Sequence, residues 1–195
     1  MEKKNSLQLK WYLIIIFISV LLTSVFVSCF YNENFFLILS VMSIGVLMVI
    51  IIDGLTATLA RLMPETVADF NKKIYVVSKS EKDFYNKLKI KTWKEKIPEI
   101  GHFTGFRKNK VLQPKNPTYI KRFLMEICYG EIGHFASIFT GVFLLLFGWI
   151  KPYYLPICIV IIFVNAILNI LPIMVLRYNS YSLLIVHKKL NKNYK

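Results

Sequence analysis

The sequence predicts an all-α membrane protein with about four transmembrane helices and a basic cytoplasmic interfacial cap between spans two and three. Three observations lead to this fold class. Four long apolar runs follow one another along the chain, 55% of its residues are hydrophobic and only 18% are charged, and the net charge is nevertheless +14. With 195 residues and a mean hydropathy of +0.50, the chain fits a single membrane domain over residues 1–195.

The first two spans are predicted over residues of about 11–30 and 35–60. A run of roughly 20 apolar residues is what a hydrocarbon core of about 30 Å requires. The first run follows three lysines, as a signal peptide would, but it is long for a signal core and VSCFYNEN is a poor cleavage site. We therefore predict a retained helix. A lipoprotein signal ending at Cys29 is the less favoured alternative.

The basic cap is predicted over residues of about 64–125, where lysines alternate with aromatic residues as in interfacial helices and turns. We expect DFNKKIYVVSKSEKDFYNKL to be mostly helical and KTWKEKIPEIGHF to be an ordered loop. A helix should begin after Pro117, with Asn116 or Thr118 near its N-cap, and run into the third span at about 132–150. The fourth span covers about 153–176.

The basic residues predict the orientation of the chain in the membrane. Of 25 Lys and Arg residues, 16 lie between Arg61 and Arg122, and most of the others lie near the two termini. By the positive-inside rule, both termini and the basic cap are cytoplasmic, in a multi-pass protein of the cell membrane. Beside four spans, such a surface is expected to meet anionic lipid head groups, at about 1 kcal/mol per basic residue, rather than nucleic acid. The sequence leaves the oligomeric state open.

The three cysteines, Cys29, Cys128 and Cys158, lie in or beside apolar runs without CxxC spacing. This pattern indicates neither a disulfide framework nor a thiolate metal site. We predict that all three are buried as small hydrophobic residues.

The start of the third span, EICYGEIGHF, carries the residues best suited to chemistry. On a helix, Glu131 and His134 are about 60° apart, and Glu126 lies about 80° from His134 on the other side. A charge facing lipid at this depth costs at least about 2.5 kcal/mol, so these side chains should face the bundle interior or a wet cavity. They are predicted to form a functional site.

Two other interpretations of these residues stay open. In one, Glu126 pairs with Arg122 one turn earlier, and Glu131 pairs with His134 as an interfacial anchor. In the other, the Glu-x-x-His spacing supplies two metal ligands on one helical face. A metal site needs at least one more ligand, and His102 and His187 are the only other histidines in the sequence.

The fourth span contributes a second set of polar residues. Asn165 and Asn169 lie four residues apart, on one stripe, and could bind a neighbouring helix or a substrate. Arg177, with Asn179 close by, would suit a phosphate or carboxylate at the membrane interface, although snorkelling alone would also explain an arginine there.

An acidic residue also interrupts the second span. Asp53 lies within IIIDGLTATLA, eight residues before Arg61 and about 80° from it around the helix. We expect Asp53 to pair with Arg61 or with a basic residue of the cap, close to the inner membrane surface.

Three blocks of the sequence, TWKEKIPEIGHF, YIKRFLMEICYGEIGHF and NILPIMVLRYNSYSL, resemble a known family in order and approximate spacing. It is the glycosyl-4,4'-diaponeurosporenoate acyltransferase family, small bacterial membrane proteins whose namesake esterifies the sugar of a carotenoid with a fatty acid. Its pattern has a Trp-Lys block, then E-T-x-R-x-E-L-x-H-W, then N-x-P followed by Q-R-Y-N-R-x-R-L. The resemblance covers roughly residues 84–183.

Most of the residues that the resemblance selects are already candidates on the grounds of charge and helix geometry. Position by position it implies functional roles for Trp93, Lys94, Pro98, Glu126, Glu131, His134, Asn169, Pro172, Arg177, Tyr178 and Asn179. The departures of the sequence from the family pattern include Tyr129, Ser180 and Ser182 in place of arginine, Phe135 in place of tryptophan and Leu176 in place of glutamine. The loss of the arginines implies a different acyl donor or acceptor.

The function expected from the resemblance is transfer of a fatty acyl group to a hydroxyl of a membrane lipid or glycolipid at the cytoplasmic face. His134 would be the general base, with Glu131 orienting it and Glu126 holding the site through Arg122 or a substrate hydroxyl. Asn169 would donate to the developing oxyanion. The absence of a Ser or Cys nucleophile beside His134 favours direct transfer.

The donor is expected to be acyl-CoA or an acyl-carrier protein, with no bound cofactor or metal. Arg177 and the basic cap would hold the phosphates of this donor, and Trp93, Lys94 and Asn179 would also bind substrate. Two competing functions stay open: a membrane metalloenzyme or hydrolase that uses Glu131 and His134, and a non-catalytic lipid-binding or accessory protein.

Overall fold

A computed structural model describes residues 2–97 and 111–193. The regular secondary structure in this part of the chain is helical, without β-strands. Six α-helices occur in it: α1 (Glu2–Tyr31), α2 (Phe35–Leu62), α3 (Lys79–Lys87), α4 (Ile90–Trp93), α5 (Pro117–Thr140) and α6 (Tyr154–Asn193). Short 3₁₀ turns over Lys94–Lys96 and Gly141–Leu146 continue α4 and α5.

Four of these helical elements are long and apolar enough to cross a membrane: Tyr12–Tyr31, Phe35–Leu62, Pro117–Leu146 and Tyr154–Lys192. The prediction of an all-α protein with four membrane-spanning helices is confirmed. The third element ends earlier than predicted, in the 3₁₀ turn before Lys151 and Pro152. The fourth continues well beyond the predicted residue 176, because the residues that follow Pro172 contain no helix-breaking Gly or Pro.

Side-chain caps define where three of the helices begin. Asn34 Oδ1 accepts hydrogen bonds from the backbone N–H groups of the first turn of α2. Ser78 Oγ accepts from Glu81 N at the start of α3, and Asn116 Oδ1 accepts from Tyr119 N at the start of α5. Such caps satisfy N–H groups that have no partner inside the helix. The prediction of a helix that begins near Pro117 with Asn116 or Thr118 near its cap is confirmed, and Asn116 is the capping residue.

The prediction that DFNKKIYVVSKSEKDFYNKL is mostly helical is wrong for the first half of this stretch. Asp69 Oδ1 accepts from Asn71 N, which produces a tight turn, and further turns follow up to Tyr75. Ser78 is extended, with ψ of 163°, and the helix begins only after it. The side chains of Asp69 and Ser78 therefore compete with the helix for backbone N–H groups. The predicted loop over residues 91–103 in turn contains part of α4 and its 3₁₀ turn.

The first of two compact units comprises Met1–Thr56 and Phe135–Ile170. Its core is apolar and consists of Val20, Val27, Ile38, Met42, Val49, Leu144, Tyr153, Ile157, Cys158 and Ile161. Gly45 on α2 lies so close to Ile161 on α6 that a Cβ atom would be 2.7 Å from the isoleucine Cδ1. Close approach at small residues is typical of membrane helices.

The second unit comprises Ala57–His134 and Leu171–Lys195. One of its cores contains Ile120, Leu124 and Cys128 of α5, and another joins Val77, Tyr85 and Ile90 to Val175 of α6. At Gly133 a Cβ atom would lie 3.4 Å from Ala57 Cα, so α5 passes close to the end of α2.

The burial predicted for the cysteines is confirmed for two of the three. Cys128 and Cys158 are buried, whereas Cys29 is exposed on α1. Cys29 lies two residues after the buried Val27, which places it on nearly the opposite side of the helix.

Candidate active site

Arg177 on α6 binds two carboxylates and a backbone carbonyl of the second unit. Its Nε and Nη2 donate to both oxygens of Glu81 on α3, with 2.9 Å between Nη2 and Oε2. Its Nη1 donates to Glu131 Oε2 at 2.9 Å and to the carbonyl of Ile74 at 2.9 Å. The fork of the guanidinium matches the carboxylate of Glu81, a geometry that a lysine does not reproduce.

The carboxylate of Glu131 is only half satisfied by these contacts. Its side chain is 8% exposed, and Oε1 is buried without a hydrogen-bond partner among the described residues. Glu131 also lines a cavity of about 10 Å³ together with Tyr75, Cys128 and Ser180, among others. An unpaired buried acceptor costs about 1–3 kcal/mol, and such groups are rare in native proteins. Glu131 therefore has the features of a functional carboxylate.

His134 follows Glu131 by one turn of α5 and is half-buried. The structure brings Glu131 to Arg177, a partner that the sequence analysis did not assign to it. The pairing of Glu131 with His134 stays a prediction.

Glu126 belongs to a group of ion pairs at the start of α5. Arg122 Nη2 donates to Glu126 Oε1 at 3.0 Å, and Arg61 Nε lies 3.7 Å from Glu126 Oε2. Arg122 also reaches Glu65 Oε1 at 3.4 Å. The predicted pairing of Glu126 with Arg122 is confirmed. These contacts hold the end of α2 and the residues after it against α5.

Asp53 takes part in a hydrogen-bond network of the first unit. Thr140 Oγ1 donates to Asp53 Oδ1 at 2.6 Å, and Asn169 Nδ2 lies 3.1 Å from Asp53 Oδ2 and 3.0 Å from Asn165 Oδ1. Asn165 Nδ2 donates to the carbonyl of Ser137 at 2.8 Å. Polar groups of α2, α5 and α6 thus satisfy one another, as buried polar groups in membrane helices must.

This network corrects the expectation that Asp53 pairs with Arg61 or with the basic cap. Arg61 points instead to Glu126 and to the carbonyl of Ala57. The role of Asn169 as an oxyanion donor stays a prediction, and its amide is directed at Asp53 and Asn165.

Three of the predicted substrate-binding residues lie together in the second unit. Lys94 Nζ donates to Asn179 Oδ1 at 3.0 Å. Trp93, next to Lys94, donates from its indole N–H to the carbonyl of Leu88 at 3.0 Å. Pro98 and His102 lie outside the described residues.

Lys82 on α3 joins this group, although the sequence analysis missed it. Its Nζ donates to the carbonyl of Tyr178 at 2.8 Å and lies 3.2 Å from the centroid of the Tyr178 ring. Burial, with the nearby charge of Lys94, lowers the pKa of Lys82 to about 8. Burial also lowers the pKa of Lys94. Within a lysine-rich segment, no sequence signal distinguishes Lys82 from its neighbours.

A family model matches residues 70–186, more than half of the chain, and describes glycosyl-4,4'-diaponeurosporenoate acyltransferases. The chain belongs to this family. The matched segment contains Glu81, Lys82, Glu131, His134 and Arg177. No curated protein and no solved structure is significantly similar to the chain. Membership in this acyltransferase family, together with four helices of membrane-spanning length, supports a membrane acyltransferase.

Three of the departures from the acyltransferase family pattern have clear structural partners. Tyr129 donates from its hydroxyl to the carbonyl of Met63 at 3.1 Å, and Ser180 Oγ donates to the carbonyl of Arg177 at 3.0 Å. Leu176 packs against Gly130, where a Cβ atom would be 2.9 Å from the leucine Cδ1. Of these three contacts, the one between Leu176 and Gly130 joins α6 to α5, Tyr129 joins α5 to the residue that follows α2, and the bond of Ser180 lies within α6.

The acidic, histidine and cysteine residues within 2–97 and 111–193 include no group of three or more arranged to hold a metal ion. The acidic side chains of the site instead bind arginines.

Proposed function

We propose that this protein transfers a fatty acyl group from a thioester to a hydroxyl of a membrane lipid or glycolipid, at the cytoplasmic face of the cell membrane. The observation that carries the proposal is Glu131 within the matched segment: one oxygen is bound by Arg177, the other is buried and unpaired, and His134 follows one turn later. The distribution of basic residues supports the cytoplasmic side for this site and for both termini.

In the proposed reaction, His134 accepts the proton of the acceptor hydroxyl. The hydroxyl oxygen attacks the carbonyl carbon of the thioester, a C–O bond forms and the C–S bond breaks. The thiolate then takes up the proton from the imidazolium and leaves as a free thiol. General-base assistance of this kind contributes about 10²- to 10⁴-fold to the rate.

Glu131 stabilises the imidazolium while His134 carries the proton. The unpaired Oε1 of Glu131 can accept a hydrogen bond from the imidazolium, while Arg177 fixes the carboxylate through Oε2. Arg177 is in this account a positioning residue. Glu126, through Arg122 and Arg61, fixes the start of the helix that carries Glu131 and His134.

The acceptor that the family name supports is the sugar hydroxyl of a glycosylated lipid. The exposed apolar faces of the membrane helices allow such a lipid to approach from the bilayer.

Mass spectrometry of lipid extracts tests the proposal. Cells that supply glycosylated carotenoids and ordinary glycolipids express the wild type, His134→Ala or His187→Ala at equal membrane abundance. His187 is the matched control, because it is a half-buried histidine on α6 whose ring contacts Phe70. We expect a lipid heavier by one fatty acyl group with the wild type and with His187→Ala, but not with His134→Ala. Identical profiles for all three would contradict the proposal and favour an accessory role.

A further inference from the structure

Two lysines from different elements converge on one stretch of α6. Lys82, on α3, contacts the carbonyl and the ring of Tyr178, and its Nζ lies 5.7 Å from the ring of Tyr181. Lys94, from the 3₁₀ turn after α4, binds the Asn179 side chain and lies 5.4 Å from the Tyr178 ring. Both lysine side chains are half-buried.

The charges of Lys82 and Lys94 favour the binding of an anion between them. Neither lysine makes a salt bridge with a carboxylate among the described residues. Burial and the mutual repulsion of the two ammonium groups lower the pKa of Lys82, and burial lowers that of Lys94, where Lys91 adds to the effect and Glu95 opposes it. Two like charges withdrawn from water cost free energy, which an anion between them would offset.

We propose that Lys82 and Lys94, together with Asn179, bind a phosphate group of the acyl donor, a thioester whose thiol belongs to a phosphate-bearing carrier. The inference rests on the proposed function, since it assigns the donor half of that reaction. Arg177, the residue first expected to hold phosphate, is already bound to Glu81 and Glu131. Tyr178 and Asn179 follow Arg177 directly on α6. The residue that positions Glu131 is therefore next to the two residues that contact Lys82 and Lys94.

Binding of coenzyme A to the full-length protein in phosphatidylcholine nanodiscs tests this site. Lys82→Gln, Lys94→Gln and the double variant are compared with Lys87→Gln, which removes an exposed lysine of the same helix. We expect each single change to weaken binding about tenfold, because it removes one charge-assisted hydrogen bond to the phosphate. Lys87→Gln should stay within about twofold of the wild type. Thermal unfolding of each variant checks that it is folded.

The pH dependence of binding is a second test that a merely structural lysine would not pass. Because the pKa of Lys82 is about 8, raising the pH above 8 removes its charge, and the affinity for coenzyme A should fall. Lys82→Arg stays charged and should bind with a much weaker dependence on pH. An affinity that is equal in the wild type and the folded double variant would overturn the proposal.

Nanodiscs that contain phosphatidylglycerol distinguish a donor phosphate from a lipid phosphate. If the double variant binds coenzyme A normally but loses anionic lipid, the site belongs to a lipid head group, and the assignment to the donor is overturned. The assay requires no acyl transfer, so its outcome is independent of the proposed reaction. A wild type that binds coenzyme A through these lysines but acylates no lipid would keep the site and refute the transferase.

Discussion

Arg177 Nη1 lies 2.9 Å from Glu131 Oε2, while the same guanidinium binds both oxygens of Glu81. One arginine therefore orients a carboxylate of the long helix α5 and also fixes the short helix α3. The side chain of Arg177 is 18% exposed and that of Glu131 only 8%. The position of Glu131 thus depends on a residue 46 positions later in the sequence.

Replacing Arg177 by Gln should destabilise the protein by about 3 kcal/mol, because it leaves two partly buried carboxylates without their cation. Arg177→Lys should recover only part of this loss, because an ammonium group cannot bind Glu81 in the same bidentate way. Thermal unfolding in detergent measures both effects. Arg122→Gln is the control, since Arg122 is 47% exposed and should contribute less. Equal unfolding midpoints for Arg177→Gln and the wild type would contradict this role.

Glu81 should make the protein sensitive to acid. Hydrogen bonds from Arg177, with a further one from Tyr85, hold the pKa of Glu81 below its ordinary value. A lowered pKa contributes stability that is present above the ordinary glutamate pKa of about 4.3 and is lost as the pH falls through the lower, folded-state value.

The unfolding midpoint of the wild type should therefore fall as the pH decreases below about 5, and Glu81→Gln should show a shallower decrease. Asp83→Asn, which alters an exposed residue of α3, is the control. Parallel curves for the wild type and Glu81→Gln would show that Glu81 is not the group responsible.

Asp53 is expected to stabilise the first unit through its hydrogen bonds to Thr140 and Asn169. Asp53→Leu removes both acceptors and should cost about 1–2 kcal/mol, a range typical of hydrogen bonds between membrane helices. Asp53→Asn keeps one oxygen and should cost less. The unfolding midpoint in detergent is the measurement, with Ser43→Ala on the same helix as the control, because the Ser43 hydroxyl donates to the carbonyl of Leu39 within its own helix. A leucine variant as stable as the wild type would argue against a structural network.

Interactions between near neighbours could be predicted from the sequence, whereas distant ones could not. Asn116 at the start of α5 and the pair of Arg122 with Glu126 follow from spacings of three and four residues. The same reasoning from helical spacing predicted that Glu131 pairs with His134 and that Asp53 pairs with Arg61. It could not anticipate Arg177 or Asn169, which lie 46 and 116 residues from their carboxylate partners and meet them only through tertiary packing.

The polar composition of the segment before α3 also limited the prediction. Its lysines and aromatic residues have a helical pattern, but Asp69 and Ser78 bind backbone N–H groups and delay the helix to Lys79. The membrane spans could be predicted without knowledge of such side-chain bonds, because the length of an apolar run alone predicts a membrane span.

The most direct test of acyl transfer is the rate of thiol release from an acyl thioester by the purified protein, with a lipid extract as acceptor. We expect His134→Ala to lower this rate by about 10²-fold or more, the loss typical of a general base, while His187→Ala stays within about twofold of the wild type. Glu131→Gln, which cannot stabilise the imidazolium by charge, should fall between them. Release of thiol by folded His134→Ala at the rate of the wild type would contradict the account.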